Sequence, residues 1–98
     1  MTRDQIIAKI RENAAAIRAE GVTQLAMFGS RVRGDHRPDS DIDVLIDIAP
    51  DASFSYLNLI GVQHIIEDAT GLPTQATTRS SMSERFAQRI SDDLIEVF

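Results

Sequence analysis

Residues 28–44 read Phe-Gly-Ser-Arg-Val-Arg-Gly-Asp-His-Arg-Pro-Asp-Ser-Asp-Ile-Asp-Val, and they join two apolar segments of the chain. Gly29 and Ser30 follow the first segment, and Asp41 and Asp43 begin the second after a gap of ten residues. Glycine lets the backbone approach a ligand closely, and exposed backbone amides after a strand favour an anion. Carboxylate oxygens are preferred ligands of Mg²⁺. One hairpin is therefore predicted to carry both a phosphate cradle and a divalent-metal site.

The segment after the turn alternates in character, which predicts a strand from Asp41 to Ile48. Its two faces would carry Ile42, Val44, Ile46 and Ile48 on one side and Asp41, Asp43, Leu45 and Asp47 on the other. Asp41 and Asp43 would then lie side by side, where like charges repel, and aspartate is disfavoured in strands. The pair favours a bound cation; two exposed aspartates on an edge strand are the alternative.

The rest of the chain shows the periodicities of further helices and strands. The predicted elements are a helix over 3–19, strands over 22–28 and 74–78, a turn or short helix over 30–35, and a helix over 54–69. Thr2 with Gln5 and Ser81 with Glu84 have the spacing of capping boxes, so a last helix is expected after Ser81. The apolar tail 94–98 would dock or pair. These elements predict an α/β two-layer fold, a small mixed sheet flanked by helices.

Length and composition limit the classes of protein that fit. At 98 residues the chain is expected to form a single domain, residues 1–98. Ten basic against fifteen acidic residues give a net charge of −5, which argues against nonspecific nucleic-acid binding. The absence of cysteine excludes disulfides and thiolate chemistry. No apolar stretch approaches the roughly 20 residues of a membrane span, and no signal peptide is evident, so we expect a cytoplasmic protein without a membrane partner.

The complete pattern is more specific than its parts. Gly29-Ser30, ten residues, then Asp41-Ile42-Asp43 resembles the signature of the nucleotidyltransferase superfamily that includes DNA polymerase beta. The order of elements and the length resemble the minimal nucleotidyltransferases, among them the MntA-type antitoxins of HEPN/MNT toxin–antitoxin systems. The resemblance implies the two-layer nucleotidyltransferase fold. It also implies that Gly29 and Ser30 hold the terminal phosphates of ATP and that Asp41 and Asp43 coordinate Mg²⁺ and serve catalysis.

The same resemblance implies a partner and a reaction. Proteins of this kind are commonly encoded beside a HEPN-type toxin, and some transfer AMP from ATP to a tyrosine hydroxyl of that toxin, so a hetero-oligomer with the toxin is expected. Arg31 and Arg33 lie close to the expected phosphate site in the sequence, and either could contact a triphosphate. The alternative, that one of them pairs with nearby aspartates, remains open.

One departure from the family pattern bears on activity. The superfamily generally carries a third carboxylate on the next strand, and Gln75 stands at the corresponding position here. A neutral amide neither takes a proton nor holds a second metal strongly. Asp47, Glu67 or Asp68 could substitute. Otherwise the chain would be a catalytically weakened, nucleotide-binding antitoxin that acts by direct protein contact. A small globular domain with an accidental motif is the third reading.

Overall fold

The computed structural model describes residues 1–98 as five α-helices and four β-strands. Their bounds are α1 Arg3–Glu12, α2 Ala14–Ala19, β1 Val22–Phe28, α3 Ser30–Arg33, β2 Ile42–Ile48, α4 Tyr56–Thr70, β3 Thr74–Thr78, α5 Glu84–Ile90 and β4 Ile95–Glu96. Two short 3₁₀ turns, Arg79–Ser81 and Ser91–Asp93, flank α5. No helix is long and apolar enough to cross a lipid bilayer.

The four strands form one mixed sheet in the order β3-β2-β1-β4. β1 runs antiparallel to β2, with Phe28 opposite Asp43, and β3 runs parallel to β2, with Gln75 beside Asp43. β4 pairs antiparallel with β1, with Ala26 opposite Glu96. The predicted mixed sheet is confirmed, and the apolar tail does pair.

One face of the sheet is covered by α1, α2 and α4, and the main core lies between these layers. Its fully buried side chains include Ile6, Ile10, Ile17, Leu25, Met27, Ile42, Val44, Ile46, Val62 and Ile66. The isoleucines of α1 and α2 come from the predicted apolar stripe, and Ile42, Val44 and Ile46 from the predicted alternation. Burial of this apolar surface is the main source of stability.

The opposite face of the sheet carries a smaller apolar cluster. Phe28, Leu45 and Ile90 are buried there, and the Phe86 ring contacts the Phe28 ring edge to face, with centroids 5.9 Å apart. Leu45 lies on the same face as Asp43 by the alternation of the strand, and it is buried there because α5 covers it. The beginning of β2 lies beyond this cover, where Asp43 is half-buried.

Two local predictions were wrong. The helix predicted over 3–19 is interrupted at Asn13, whose backbone has φ −106° and ψ 13° and whose side-chain amide donates to Lys9 O at 2.9 Å. Asparagine competes in this way for the backbone acceptors of a helix. The last helix is capped by Ser83, whose Oγ accepts from the Phe86 amide at 3.1 Å, because Ser81 belongs to the preceding 3₁₀ turn.

The outer edge of β3 is closed by side chains of α4. Gln63 Oε1 accepts from the Ala76 amide at 2.9 Å, and Glu67 Oε2 accepts from the Thr74 amide at 3.0 Å. Unpaired amides on an edge strand are normally open to pairing with another chain. Here two of them already have partners within the chain.

Replacing Ile46, which is fully buried at the centre of β2, by alanine should lower the free energy of unfolding by about 2–5 kcal/mol. Ile48→Ala is the matched control, because Ile48 is only partly buried at the end of the same strand. Urea denaturation of both variants measures the difference. Equal losses would contradict the assignment of the core to the middle of the sheet.

Candidate active site

The turn between β1 and α3 presents unpaired backbone amides. Gly29 adopts φ 86° and ψ −161°, a conformation that L side chains rarely adopt. Its carbonyl accepts from the amides of Val32 and Arg33, at 3.0 and 3.1 Å, while the amides of Ser30 and Arg31 have no backbone acceptor. Free amides at the start of a helical turn are suitable donors for phosphate oxygens. The backbone at Ser30 and Arg31 can therefore serve as a cradle for an anion.

Gly29 is in direct contact with the metal-ligand candidate Asp43. A Cβ atom added at Gly29 would lie 2.5 Å from Asp43 Oδ2, which is closer than real Cβ contacts allow. The contact arises because Phe28 is opposite Asp43 in the β1–β2 pair, so that residues fourteen positions apart become neighbours. The cradle and the carboxylate thus form one continuous surface.

The two aspartates concentrate negative charge at the start of β2. Asp41 is exposed just before the strand and Asp43 is half-buried on it. Burial raises the pKa of the Asp43 carboxyl above its ordinary value, the neighbouring Asp41 raises it further, and Arg33 opposes the shift. An uncompensated pair of this kind is stabilised by a cation. Two carboxylates fit Mg²⁺, which commonly takes its other ligands from water and phosphates.

A third protein carboxylate is absent from this site. Gln75, exposed on β3, occupies the register position beside Asp43. No group of three or more histidine, cysteine, aspartate or glutamate side chains in the chain could together hold a metal.

The residues considered as substitutes for a third carboxylate lie elsewhere. Asp47 forms an ion pair with Arg79, 2.6 Å from Oδ1 to Nε. Glu67 is bound to the edge of β3, and Asp68 follows it on α4, on the opposite face of the sheet. None of the three can replace a carboxylate at position 75.

Arg31 is buried, with 3 % of its surface exposed. Its guanidinium is hydrogen-bonded to the loop that leads to Asp41. Nε donates to Ser40 O at 2.9 Å and Nη2 donates to Pro38 O at 3.1 Å. We expected Arg31 to contact phosphate or to pair with aspartates. Two of its nitrogens are bound to loop carbonyls, which gives it a positioning role, and a contact with phosphate stays a prediction.

Arg33 pairs with aspartates, as the alternative reading anticipated. Its Nε lies 3.1 Å from Asp35 Oδ2, and its Nη1 lies 2.7 Å from Asp93 Oδ2. Asp93 was missed by the sequence analysis. It is sixty residues away in the chain, and no local pattern marks it.

The aspartate pair lies on an open surface. None of the five cavities in the chain is lined by Asp41 or Asp43. The largest, about 490 Å³, lies beyond α3, between Arg3, Arg33 and His36. A ligand bound by the aspartates would therefore keep one side exposed, where a second macromolecule could contact it.

The sequence matches the family model described as nucleotidyltransferase domain over residues 7–97. Among curated proteins, it is similar to protein adenylyltransferase MntA of Thermococcus cleftensis, with 31% identity over 77 residues. That alignment covers 79% of this chain and 76% of the relative.

Solved structures share the architecture at low sequence identity. One assigned as a minimal nucleotidyltransferase superposes with a TM-score of 0.71 at 20% identity, covering 97% of this chain and 95% of the other. A toxin–antitoxin complex with AMP-PNP gives 0.70 at 13% identity, covering 90% and 72%. The MNT antitoxin complex with a tri-AMPylated HEPN toxin of Shewanella oneidensis gives 0.63 at 12%, covering 90% and 68%. These likenesses confirm the predicted nucleotidyltransferase fold.

Gly29→Ala should weaken binding of a divalent cation at the aspartates by about tenfold or more, because the new methyl group displaces Asp43. Gly34→Ala is the control: Gly34 also has a positive φ, 88°, but a Cβ there meets nothing within 4 Å. Mn²⁺ titration followed by electron paramagnetic resonance, on variants shown to be folded by circular dichroism, measures the effect. Similar affinities in the two variants would contradict the close contact between cradle and carboxylate.

Asp43→Asn should raise the Tm of the metal-free protein at pH 7. The pKa of Asp43 is raised in the folded state, so its stabilising contribution is complete below the ordinary aspartate range, near pH 4, and is lost as the pH rises through the folded pKa. The gain from the variant should therefore shrink as the pH falls. Asp51→Asn, at an exposed loop position, is the control and should leave Tm unchanged at pH 7 and near pH 4. A lower Tm for Asp43→Asn at neutral pH would rule out this electrostatic cost.

Proposed function

The chain belongs to the nucleotidyltransferase domain family, and from that premise we propose that it is a Mg²⁺-dependent protein adenylyltransferase that neutralises a HEPN-type toxin. The proposed reaction transfers AMP from ATP to a toxin hydroxyl, that of a tyrosine, within a hetero-oligomer of the two proteins. The observation that carries the proposal is the contact between Gly29 and Asp43, which joins a phosphate cradle to a metal-ligand pair. The similarity to protein adenylyltransferase MntA supports the choice of substrate and acceptor.

The residues of the chain have distinct tasks in this reaction. The amides of Ser30 and Arg31 would bind the terminal phosphates, and Asp41 and Asp43 would hold Mg²⁺. When bound, Mg²⁺ neutralises charge on the triphosphate and on the departing pyrophosphate. The acceptor oxygen attacks the α-phosphorus and a new oxygen–phosphorus bond forms, while the bond from the α-phosphorus to the β-phosphate oxygen breaks. Pyrophosphate leaves with that electron pair, and the hydroxyl proton is released to water. Arg31, by fixing the loop at Ser40, keeps Asp41 in place for this step.

The open surface around the aspartates supports a protein as the acceptor. None of the cavities of the chain offers a separate site for a small acceptor next to Asp43. A toxin surface could supply both the hydroxyl and the missing wall of the site. We further propose that residues 1–98 act as a single domain and that the reaction takes place in the cytoplasm, where ATP is available.

A second candidate function follows from Gln75. Because an amide stands beside Asp43, the site lacks at position 75 a third carboxylate that could take the proton of the acceptor hydroxyl. The alternative is a nucleotide-binding antitoxin of low catalytic activity that neutralises its partner by contact. ATP binding without transfer to a partner that is itself a competent acceptor would favour this alternative.

The proposed activity is tested by incubating the chain with labelled ATP, Mg²⁺ and the HEPN-type toxin proposed as its partner. Label should appear on the partner, and Asp41→Asn and Asp43→Asn should each reduce the rate by about 100-fold or more, since the metal contributes several kcal/mol of transition-state stabilisation. Asp39→Asn, an exposed position in the same loop, is the control. Undiminished labelling in both site variants would exclude these aspartates from the reaction.

Gln75→Asp should increase the rate of transfer by about 100-fold if the missing carboxylate at position 75 limits the reaction, because aspartate can act as a general base there. Gln75→Asn is the matched control, because asparagine has the size of aspartate without its charge. The rates of both variants are compared at saturating ATP. An unchanged rate in Gln75→Asp would mean that two carboxylates suffice or that the hydroxyl proton leaves by another route.

A further inference from the structure

The C-terminal part of the chain reaches the phosphate cradle through one ion pair. Asp93 belongs to the 3₁₀ turn Ser91–Asp93, and its carboxylate lies 2.7 Å from Nη1 of Arg33, in the helical turn that forms the cradle. The Asp93 side chain is only 18% exposed, whereas that of Asp35, the other partner of Arg33, is 62% exposed. Asp93 is therefore the more buried of the two partners and lies nearer to the guanidinium.

The turn that carries Asp93 is itself anchored on both sides. Ile90, just before it, is buried with Phe28 and Leu45, and Leu94, just after it, packs against the same cluster. The position of Asp93 is thus fixed by apolar packing. An ion pair between partly exposed side chains adds little to stability, so stabilisation of the fold does not by itself explain this contact.

The ion pair lies on the face of the sheet that carries Asp43, because Ile90 and Leu94, on either side of the turn of Asp93, pack with Leu45 on that face. The backbone of Arg33 is also close to the cradle, since its amide donates to Gly29 O at 3.1 Å. The charge of Arg33 lowers the pKa of Asp43 against the effects of burial and of Asp41, and the bond to Asp93 is the main cause that raises the pKa of Arg33 itself. An arginine has five N–H donors. Asp35 and Asp93 accept from Nε and Nη1, which leaves Nη2 and one Nη1 hydrogen without these partners.

We propose that Asp93 is a positioning residue that fixes the guanidinium of Arg33 at the edge of the cradle, with its remaining donors directed to the β- and γ-phosphates of the nucleotide. This inference rests on the proposed function. Two donors held in fixed geometry recognise phosphate oxygens better than a mobile side chain does, because less rotamer entropy is lost on binding. The C-terminal turn thereby sets how strongly the cradle discriminates a triphosphate from a monophosphate.

The test is isothermal titration of the full chain with a non-hydrolysable ATP analogue and with AMP, both in Mg²⁺. Asp93→Asn should weaken analogue binding about fivefold to tenfold and leave AMP binding unchanged, because AMP has no β- or γ-phosphate. Asp92→Asn is the matched control: Asp92 is exposed in the same turn and forms no ion pair in the chain. A purely structural role for Asp93 would change both affinities and the Tm together.

The double variant separates positioning from a direct effect. Arg33→Gln should weaken analogue binding at least as much as Asp93→Asn, and the double variant should be no worse than Arg33→Gln alone, because Asp93 acts through Arg33. Equal or tighter analogue binding in Asp93→Asn, with the natural chain binding normally, would overturn this inference and leave the proposed function intact. Failure of the natural chain to bind the analogue at all would overturn both.

Discussion

Phe28 lies opposite Asp43 in the antiparallel pair of β1 and β2, and this register brings the two halves of the site together. The turn after β1 supplies backbone amides, the start of β2 supplies carboxylates, and Gly29 touches Asp43 because the strands meet there. A shift by one residue would move every side chain of β2 to the opposite face. The apolar residues that alternate with the aspartates prevent such a shift, since Ile42, Val44 and Ile46 must stay in the core. The packing of the core and the assembly of the site thus depend on the same register of β2 against β1.

The parts of the fold that could be predicted from the sequence are those encoded locally. The alternation over β2 identified its buried face, and the spacing of Ile6, Ile10 and Ile17 identified the apolar stripe of the first helices. The break at Asn13 could not be foreseen because it depends on one side chain that competes for a helix carbonyl. The burial of Leu45 among aspartates needed knowledge of where α5 packs, which is a long-range property.

The candidate site divides in the same way. Gly29, Ser30, Asp41 and Asp43 stand out because their residue types and spacing are unusual, and Gln75 because it departs from a family pattern. Local patterns indicate nothing about the direction of a guanidinium. Arg31 and Arg33 are two residues apart, yet one is buried against loop carbonyls and the other is bound to the C-terminal turn. The direction of each guanidinium is decided by tertiary contacts.

The closed edge of β3 has a consequence for the behaviour of the chain when no other protein is bound to it. With the outward amides of Thr74 and Ala76 already satisfied by α4, this edge offers few donors for growth of an intermolecular, cross-β assembly. The side chains of Gln63 and Glu67 accept these hydrogen bonds and so block the pairing of another strand at this edge. Free copies of the chain are accordingly protected, along this edge, from strand-to-strand aggregation.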